Sequence, residues 1–312
     1  MSHEHAVPLI VLNALVLRAD STPPEGLRAA RPRYNVNRAG QGIEDPGTTE
    51  RVLALSDRPQ FEWEAFDEYW RKVHGPKILH ADGPDDAQTP LLRFYLQQHR
   101  IPSGPSTEYA PPYDARPGAD GRLVRDPAAR CTPLVRPAWD GLAQLAFRTK
   151  EDAARFFDLG PGKYGEKIVP DEAVFLRGFG FHLAEEHVIV ARGDQRRDPI
   201  VMIRCHTRRA ATSRAEFRAR WLGAHAALVA SLAASRMKRY VQLHNVSSAA
   251  ERLYDPIGDR YDGIAIQAFA NMNDLEEYLG SEAYRRVADD ERAFAGETSF
   301  FTALNYVIKD VT

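Results

Sequence analysis

The chain repeats itself, and the repeat constrains its fold more than any single motif. Five blocks recur in the same order in both halves. A β-rich start, Pro8-Leu-Ile-Val-Leu, matches Pro199-Ile-Val-Met-Ile. Phe66, Trp70 and His74 recur as Phe217, Trp221 and His225, spaced four and four, the spacing of one helix face. Tyr95-Leu-Gln-Gln-His99 matches Tyr240-Val-Gln-Leu-His244. Asp140-Gly-Leu-Ala-Gln-Leu-Ala-Phe147 matches Asp262-Gly-Ile-Ala-Ile-Gln-Ala-Phe269. Asp171-Glu-Ala-Val-Phe175 matches Asp290-Glu-Arg-Ala-Phe294, and a last strand follows carrying Val188-Ile189 or Val307-Ile308.

Each half therefore reads strand, helix, strand, strand, helix, strand. That order is the ferredoxin-like split βαβ unit, a four-stranded antiparallel sheet with helices on one face. The expected class is α+β, with repeat one over residues 1–192 and repeat two over 193–312.

The ordered set resembles the EthD branch of the dimeric α/β-barrel superfamily. The motifs that carry the resemblance are Trp-x-x-x-His on a helix, Tyr-x-Gln-x-His, Asp-Gly-hydrophobic and Asp-Glu-x-x-Phe. It implies two ferredoxin-like repeats whose antiparallel sheets face each other and close a barrel around a cavity. A fused tandem could build that barrel from one chain, and a homodimer of fused chains stays open. Lyases, decarboxylases, cyclases, isomerases and monooxygenases are all known in the superfamily, so the fold alone does not select a reaction. Some relatives bind haem, although nothing in this sequence identifies an axial ligand.

Repeat one carries two long insertions, at about 21–60 and 101–138, the second with eight prolines. Loops of this length are surface elaborations or functional covers. As a lid, the second would bring Tyr109, Tyr113 and Trp139 to an aromatic ligand.

Composition removes several classes. A formal net charge of −2 gives no basic surface for phosphate, which argues against nucleic acid. Two cysteines, Cys131 and Cys205, exclude a disulfide framework and a four-cysteine zinc site. The apolar run from Pro8 to Leu17 is too short for a membrane span and has no basic leader before it. A cytoplasmic protein is expected. No metal-ligand spacing, Gly-x-Gly-x-x-Gly or Gly-x-Ser-x-Gly motif occurs, so no cofactor or metal is assigned.

Strand alternation places Tyr95, Gln97 and His99 on one face, and Tyr240, Gln242 and His244 on the matching face. If Leu96 and Val241 face the helices, these polar rows line the barrel interior. They could then offer donors, acceptors and a general base. Their presence in both halves also fits a framework role. Asymmetry is a sharper signal. Aligned on the prolines, Arg204-Cys205-His206 replaces Asn13-Ala14-Leu15. Arg204 would orient a carboxylate or phenolate and His206 would move a proton. His182, in the last strand of repeat one, has no evident histidine counterpart. His74 and His225 are proton-shuttle candidates at the pocket end, or buried structural histidines.

The expected function is cofactor-independent acid–base catalysis on a small aromatic or phenolic substrate, as a lyase of decarboxylase or elimination type. His99, His244, His206, Tyr95 and Tyr240 are the catalytic candidates. Arg204, Gln97, Gln242, His74, His225 and His182 are the substrate-binding ones. A non-catalytic carrier and a cofactor-free monooxygenase are the alternatives.

Overall fold

The computed structural model describes residues 8–18, 63–80, 87–102, 104–107, 115–117, 123–125, 139–158, 164–192 and 196–312. Insertion 21–60 lies outside these residues, as do Tyr109 and Tyr113. Within 101–138, Ala115–Pro117 (β3) and Leu123–Arg125 (β4) form a separate two-stranded sheet.

In repeat one, β1 (Ile10–Arg18) is followed by helix α1, which runs from Trp63–Tyr69 through a π-helical turn, Trp70–His74, into Gly75–His80. Then come β2 (Phe94–Arg100), β5 (Gly141–Phe147), α2 (Lys150–Phe156), α3 (Val169–Phe175) and β6 (Leu176–Ala191). Repeat two follows the same order. It has β7 (Ile200–Arg208), then helix α4 (Arg214–Arg220, a π-turn Trp221–His225, and Ala226–Ala233). β8 (Arg239–Asn245), β9 (Gly263–Phe269), α5 (Met272–Leu279), α6 (Glu282–Phe294) and β10 (Ala295–Asp310) complete it. Ser213 and Glu216 close a reciprocal capping box on α4, while Thr149 and Asn271 cap α2 and α5 through their side chains.

The strands form one closed barrel in the order β1-β5-β2-β10-β7-β9-β8-β6. Within it β6-β1-β5-β2 and β10-β7-β9-β8 are two ferredoxin-like sheets of identical order. The last strand of each repeat pairs with the second strand of the other, β10 with β2 and β6 with β8. Closure leaves neither sheet with a free edge.

Three apolar clusters follow. One fills the lumen from both repeats, with Val11, Leu15, Leu96, Val201, Ile203, Val241 and Leu243 among its members. The other two lie outside the barrel between sheet and helices, around Phe66, Trp70 and Phe175 in repeat one and Phe217, Trp221 and Phe294 in repeat two.

The Asp-Gly blocks have a structural reason. Asp140 accepts from the Arg18 amide at 3.0 Å, and Asp262 from the Arg208 amide at 2.7 Å, so each ties together the ends of adjacent strands. The glycines admit the tryptophans: a Cβ at Gly141 would lie 2.6 Å from the Trp70 ring, and one at Gly263 would strike Trp221.

Candidate functional site

The barrel turns the expected faces around. Leu96 and Val241 belong to the lumen, and the Tyr-x-Gln-x-His rows point outward to the helices. Tyr95, Gln97, His99, Tyr240, Gln242 and His244 therefore do not line the interior. The rows meet the π-turns, whose first carbonyls accept a backbone N–H five residues on and, with their second lone pair, a side-chain donor. Gln97 Nε2 donates to Trp70 O at 3.0 Å, and Gln242 Nε2 to Trp221 O at 3.0 Å. Each glutamine also reaches the tyrosine two residues earlier, at 2.7 and 2.9 Å. This duplicated network is a framework between helix and sheet.

The alignment of the first strands also shifts. Val11 pairs with Ala146, and Val201 with Ala268, which occupies the same place in its Asp-Gly block. Val11 thus corresponds to Val201, one residue away from the register set by the prolines. In a strand that slip exchanges the two faces. Arg204 corresponds to Ala14 and His206 to Val16. Neither enters the lumen; both point into the helix layer of repeat two.

The lumen has an asymmetry of its own. Asn13, Gln98, Gln144 and His182 of repeat one project inward. Their counterparts in repeat two are Ile203, Leu243, Ile266 and Phe301. Gln98 donates to Gln144 Oε1 at 2.7 Å, and Gln144 to Asn13 Oδ1 at 3.2 Å. His182 is fully buried, and neither ring nitrogen makes a well-formed hydrogen bond; the Gly258 backbone is the polar group beside it. Burial pushes its pKa down to about 3, so the ring is neutral. Near one mouth, beside Gln98, Arg196, Arg239 and Glu186, a cavity of about 20 Å³ remains, room for roughly one water. Among the described residues, apolar side chains pack the lumen and no ligand-sized cavity is seen inside the barrel. Trp139 does not cover an open pocket, because it is buried and donates to Tyr261 Oη at 2.9 Å.

The polar cluster richest in chemistry lies outside the barrel, between β7, β8, β10, α4 and α6. It gathers Arg204, His206, His225, His244, Tyr240 and Gln242. Arg204 pairs with Glu291 and donates to Tyr284 Oη at 3.2 Å. Its guanidinium also lies over the Tyr284 and Phe300 rings, at 5.5 and 5.6 Å. Burial disfavours that charge, but Glu291 and the tyrosines outweigh it and hold the arginine pKa up. Arg204 is thus committed to Glu291, which corrects the expectation of a free arginine waiting for substrate.

Glu291 also faces the histidines. Burial raises its pKa, but Arg204, His206 and His225 together lower it, so it is a carboxylate. His225 Nδ1 meets Asp290 Oδ2 at 2.8 Å, and its Nε2 lies 3.7 Å from Glu291 Oε1. His206 Nδ1 meets Thr298 Oγ1 at 3.0 Å, while its Nε2 is buried with no partner. Burial pushes His206 down to about 4, the nearby Glu291 only partly opposing this. Trp221 stands between His206 and His244, at ring distances of 5.1 and 4.4 Å. Burial likewise pushes His244 down to about 2, with His187 and Arg218 adding to the effect. Tyr240 is raised by burial and keeps its proton.

Repeat one keeps the framework without this cluster. His74 Nδ1 meets Asp171 Oδ2 at 2.8 Å, as His225 meets Asp290. Repetition of the pair supports a structural role for the His–Asp contact in both repeats, to which His225 alone adds a second carboxylate, Glu291, at 3.7 Å. Tyr69 donates to Asp171 as well, beside an open surface cleft of about 440 Å³ that Lys77 and Lys167 border. His99 stacks on Trp70 with ring centroids 4.2 Å apart, and its Nδ1 meets Asp67 Oδ1 at 2.7 Å. Sequence reasoning passed over Glu291, Asp290, Asp67, Arg218 and His187. The first two were in view, because Asp-Glu opens the fifth block of each repeat.

Among the described residues, no group of three or more His, Cys, Asp or Glu side chains is arranged to hold a metal ion. As the described residues pack, the lumen has no room for a haem. No helix among the described residues is long and apolar enough to cross a membrane.

Comparison with known proteins follows from this geometry. Residues 209–298 match the EthD domain model, a span that runs from the end of β7 to the start of β10. No curated protein matches the chain in sequence. Among solved structures, an anthrone oxidase-like protein is similar at a TM-score of 0.46 and 12% identity, over 98% of this chain and 95% of that one. A proposed monooxygenase from Lactobacillus acidophilus NCFM gives 0.43 and 10%, over 97% and 96%. Chlorite dismutase from Candidatus Nitrospira defluvii, in complex with imidazole, gives 0.40 and 9%, over 97% and 92%. The match to the EthD domain thus falls on the second repeat of the barrel.

Proposed function

We propose that this protein is an enzyme that performs acid–base chemistry on a small aromatic or phenolic molecule in the helix–sheet layer of repeat two. The reaction proposed is a lyase reaction of decarboxylase or elimination type, carried by the protein's own residues. The observation that supports it most is the His206–Glu291–His225 cluster. A buried imidazole with an unpartnered Nε2 faces a second imidazole that Asp290 orients, and a buried carboxylate stands beside both. A carboxylate next to imidazole stabilises the imidazolium that forms on proton transfer. In decarboxylation, the carbon–carboxylate bond breaks, carbon dioxide leaves, and the electron pair enters a conjugated ring or carbonyl. A histidine returns a proton to carbon. Arg204 acts as a positioning residue by holding Glu291.

The test is anaerobic incubation with a panel of aromatic and phenolic carboxylic acids, read by carbon dioxide release and mass spectrometry. His206→Ala should lower kcat by ~10²–10⁴-fold, the usual worth of a general acid or base. A strict requirement for oxygen would favour a cofactor-free monooxygenase instead. Binding without turnover of any panel member would favour a carrier.

A further inference from the structure

The two strand-end histidines occupy the same place in their repeats and differ in what meets them. In repeat one, His99 is satisfied at both nitrogens, by Asp67 at 2.7 Å and by Gln97 Oε1 at 3.2 Å. The edge of Tyr306 closes over it at 4.8 Å. In repeat two, His244 Nε2 meets Gln242 Oε1 at 2.9 Å, and Nδ1 is buried with no partner. Where repeat one has Asp67, one turn before the tryptophan, repeat two has Arg218. Where Tyr306 of β10 meets His99 across the repeat boundary, His187 of β6 meets His244, its ring edge-on at 5.0 Å.

The glutamine fixes the tautomer. Gln242 Nε2 donates to the Trp221 carbonyl, so its Oε1 is an acceptor and His244 Nε2 must carry a hydrogen. A neutral His244 then presents Nδ1 as a bare lone pair. Repeat one puts an acidic oxygen at this position, from Asp67. In repeat two no oxygen meets Nδ1; His187 and Arg218 surround it, and the Glu185 carboxylate opposite is engaged by both, by Arg218 as an ion pair and by His187 Nε2 at 3.6 Å. Arg218 lies 3.4 Å from His187 Nε2 and pairs with Glu185. That pair is about a third exposed on both sides, 36% and 30%, and pairs so exposed contribute roughly 0–1 kcal/mol. An incoming anion can therefore displace Glu185 from Arg218 at little cost.

We propose that His244, His187 and Arg218 form a subsite for a weakly acidic hydroxyl of the substrate, an enol or a phenol. The hydroxyl donates to His244 Nδ1. In the free protein, burial together with His187 and Arg218 keeps His244 neutral. The anionic oxygen resting against Arg218 opposes those effects, so the proton passes to Nδ1, the O–H bond breaks and the oxygen keeps the electron pair. This rests on the reading that the repeat-two layer receives substrate, and it adds which end of the molecule is held and by what.

The probe is 4-nitrophenol, whose phenol and phenolate absorb at different wavelengths. Binding to the whole chain should shift the bound ligand toward phenolate relative to free ligand at the same pH. Quenching of tryptophan fluorescence gives the affinity. Arg218→Asp installs the carboxylate that repeat one carries beside its histidine, set here against Glu185 where repeat one has Leu304. It should weaken binding more than 10-fold and abolish the spectral shift. Arg218→Gln, which adds no charge, should do so less completely. Glu185→Gln should tighten binding several-fold by removing the competitor. Nitrobenzene, lacking the hydroxyl, should not distinguish the variants, and benzoate should bind only with uptake of a proton. Absence of 4-nitrophenol binding to the wild type, or binding unchanged in both Arg218 variants, would overturn the subsite. Turnover that survives His206→Ala while these binding effects hold would defeat the catalytic proposal and leave the subsite standing.

Discussion

The two halves of the barrel place their polarity on opposite sides of the same kind of sheet. Repeat one carries Asn13, Gln98, Gln144 and His182 on its lumen face, and Ala14 and Val16 on its helix face. Repeat two carries Ile203, Leu243, Ile266 and Phe301 on its lumen face, and Arg204 and His206 on its helix face. Hydrogen-bonded amides inside the barrel lock repeat one to its own strands. Buried imidazoles and a carboxylate outside the barrel give repeat two groups able to move protons. Sharing a fold, the repeats diverged by face.

The largest effect should come from the charge cluster. Glu291→Ala leaves Arg204 buried and unpaired, and losses of this kind run to about 3–5 kcal/mol. The corresponding Glu172 of repeat one accepts from Tyr164 at 2.7 Å, and Ala14 stands where repeat two has Arg204, so removing Glu172 does not strand that buried guanidinium and Glu172→Ala should cost clearly less. Denaturant midpoints of the two variants make the comparison, and equal losses would break it.

A pH effect comes next. His182, His206 and His244 are all pushed below the ordinary imidazole value by burial, to about 3, 4 and 2. As pH falls below ~6.5 the unfolded chain takes up protons that the native protein refuses, so stability is full above that pH and is lost on acidification. Each group can contribute up to ~1.4 kcal/mol per pH unit until its own folded pKa is reached. Melting temperature should fall steeply between pH 6.5 and about 4. A flat profile there would mean that these rings titrate normally.

The amide belt should show non-additivity. Gln144→Ile alone strips partners from Gln98 and Asn13 and should cost about 1–3 kcal/mol. Adding Asn13→Ile and Gln98→Leu converts the belt to the residues of repeat two and should recover most of the loss, since removing all partners together strands none. The smallest effect is the shared one: Gln97→Leu and Gln242→Leu each remove the donor to a π-turn carbonyl and should cost a similar ~1 kcal/mol.

Much of this architecture was legible in the sequence. Phe66/Trp70/His74 against Phe217/Trp221/His225, and the two Asp-Gly blocks, predict the element order and the tandem barrel. The faces were not legible, for a physical reason. Alternation shows that Gln97 and His99 share a side, and in an open sheet the polar side is the wet one. A closed barrel buries both sides, so polarity no longer says which side meets the helices. The bonds from Gln97 and Gln242 to the π-turn carbonyls of Trp70 and Trp221 mark the helix side, and a π-turn has no signature in residue spacing. The register of Arg204 failed because Pro8 and Pro199 precede strands of different offset; Gly141 and Gly263, which must accommodate the tryptophans, are the better anchors. Arg218 and His187 became visible only as replacements for Asp67 and Tyr306 across the interface between repeats.

Ring ¹⁵N spectra of the histidines at pH 7, recorded with assignment by single substitution, test most directly whether the repeats have diverged as described. Expected are a neutral Nε2–H tautomer for His244 that persists into the acid range, and a neutral His206. His99, whose two nitrogens both face oxygens, should share a proton with Asp67. A His244 that titrates near 6.5 like a free imidazole, or that matches His99 in tautomer and charge, would contradict the division of labour between the two halves.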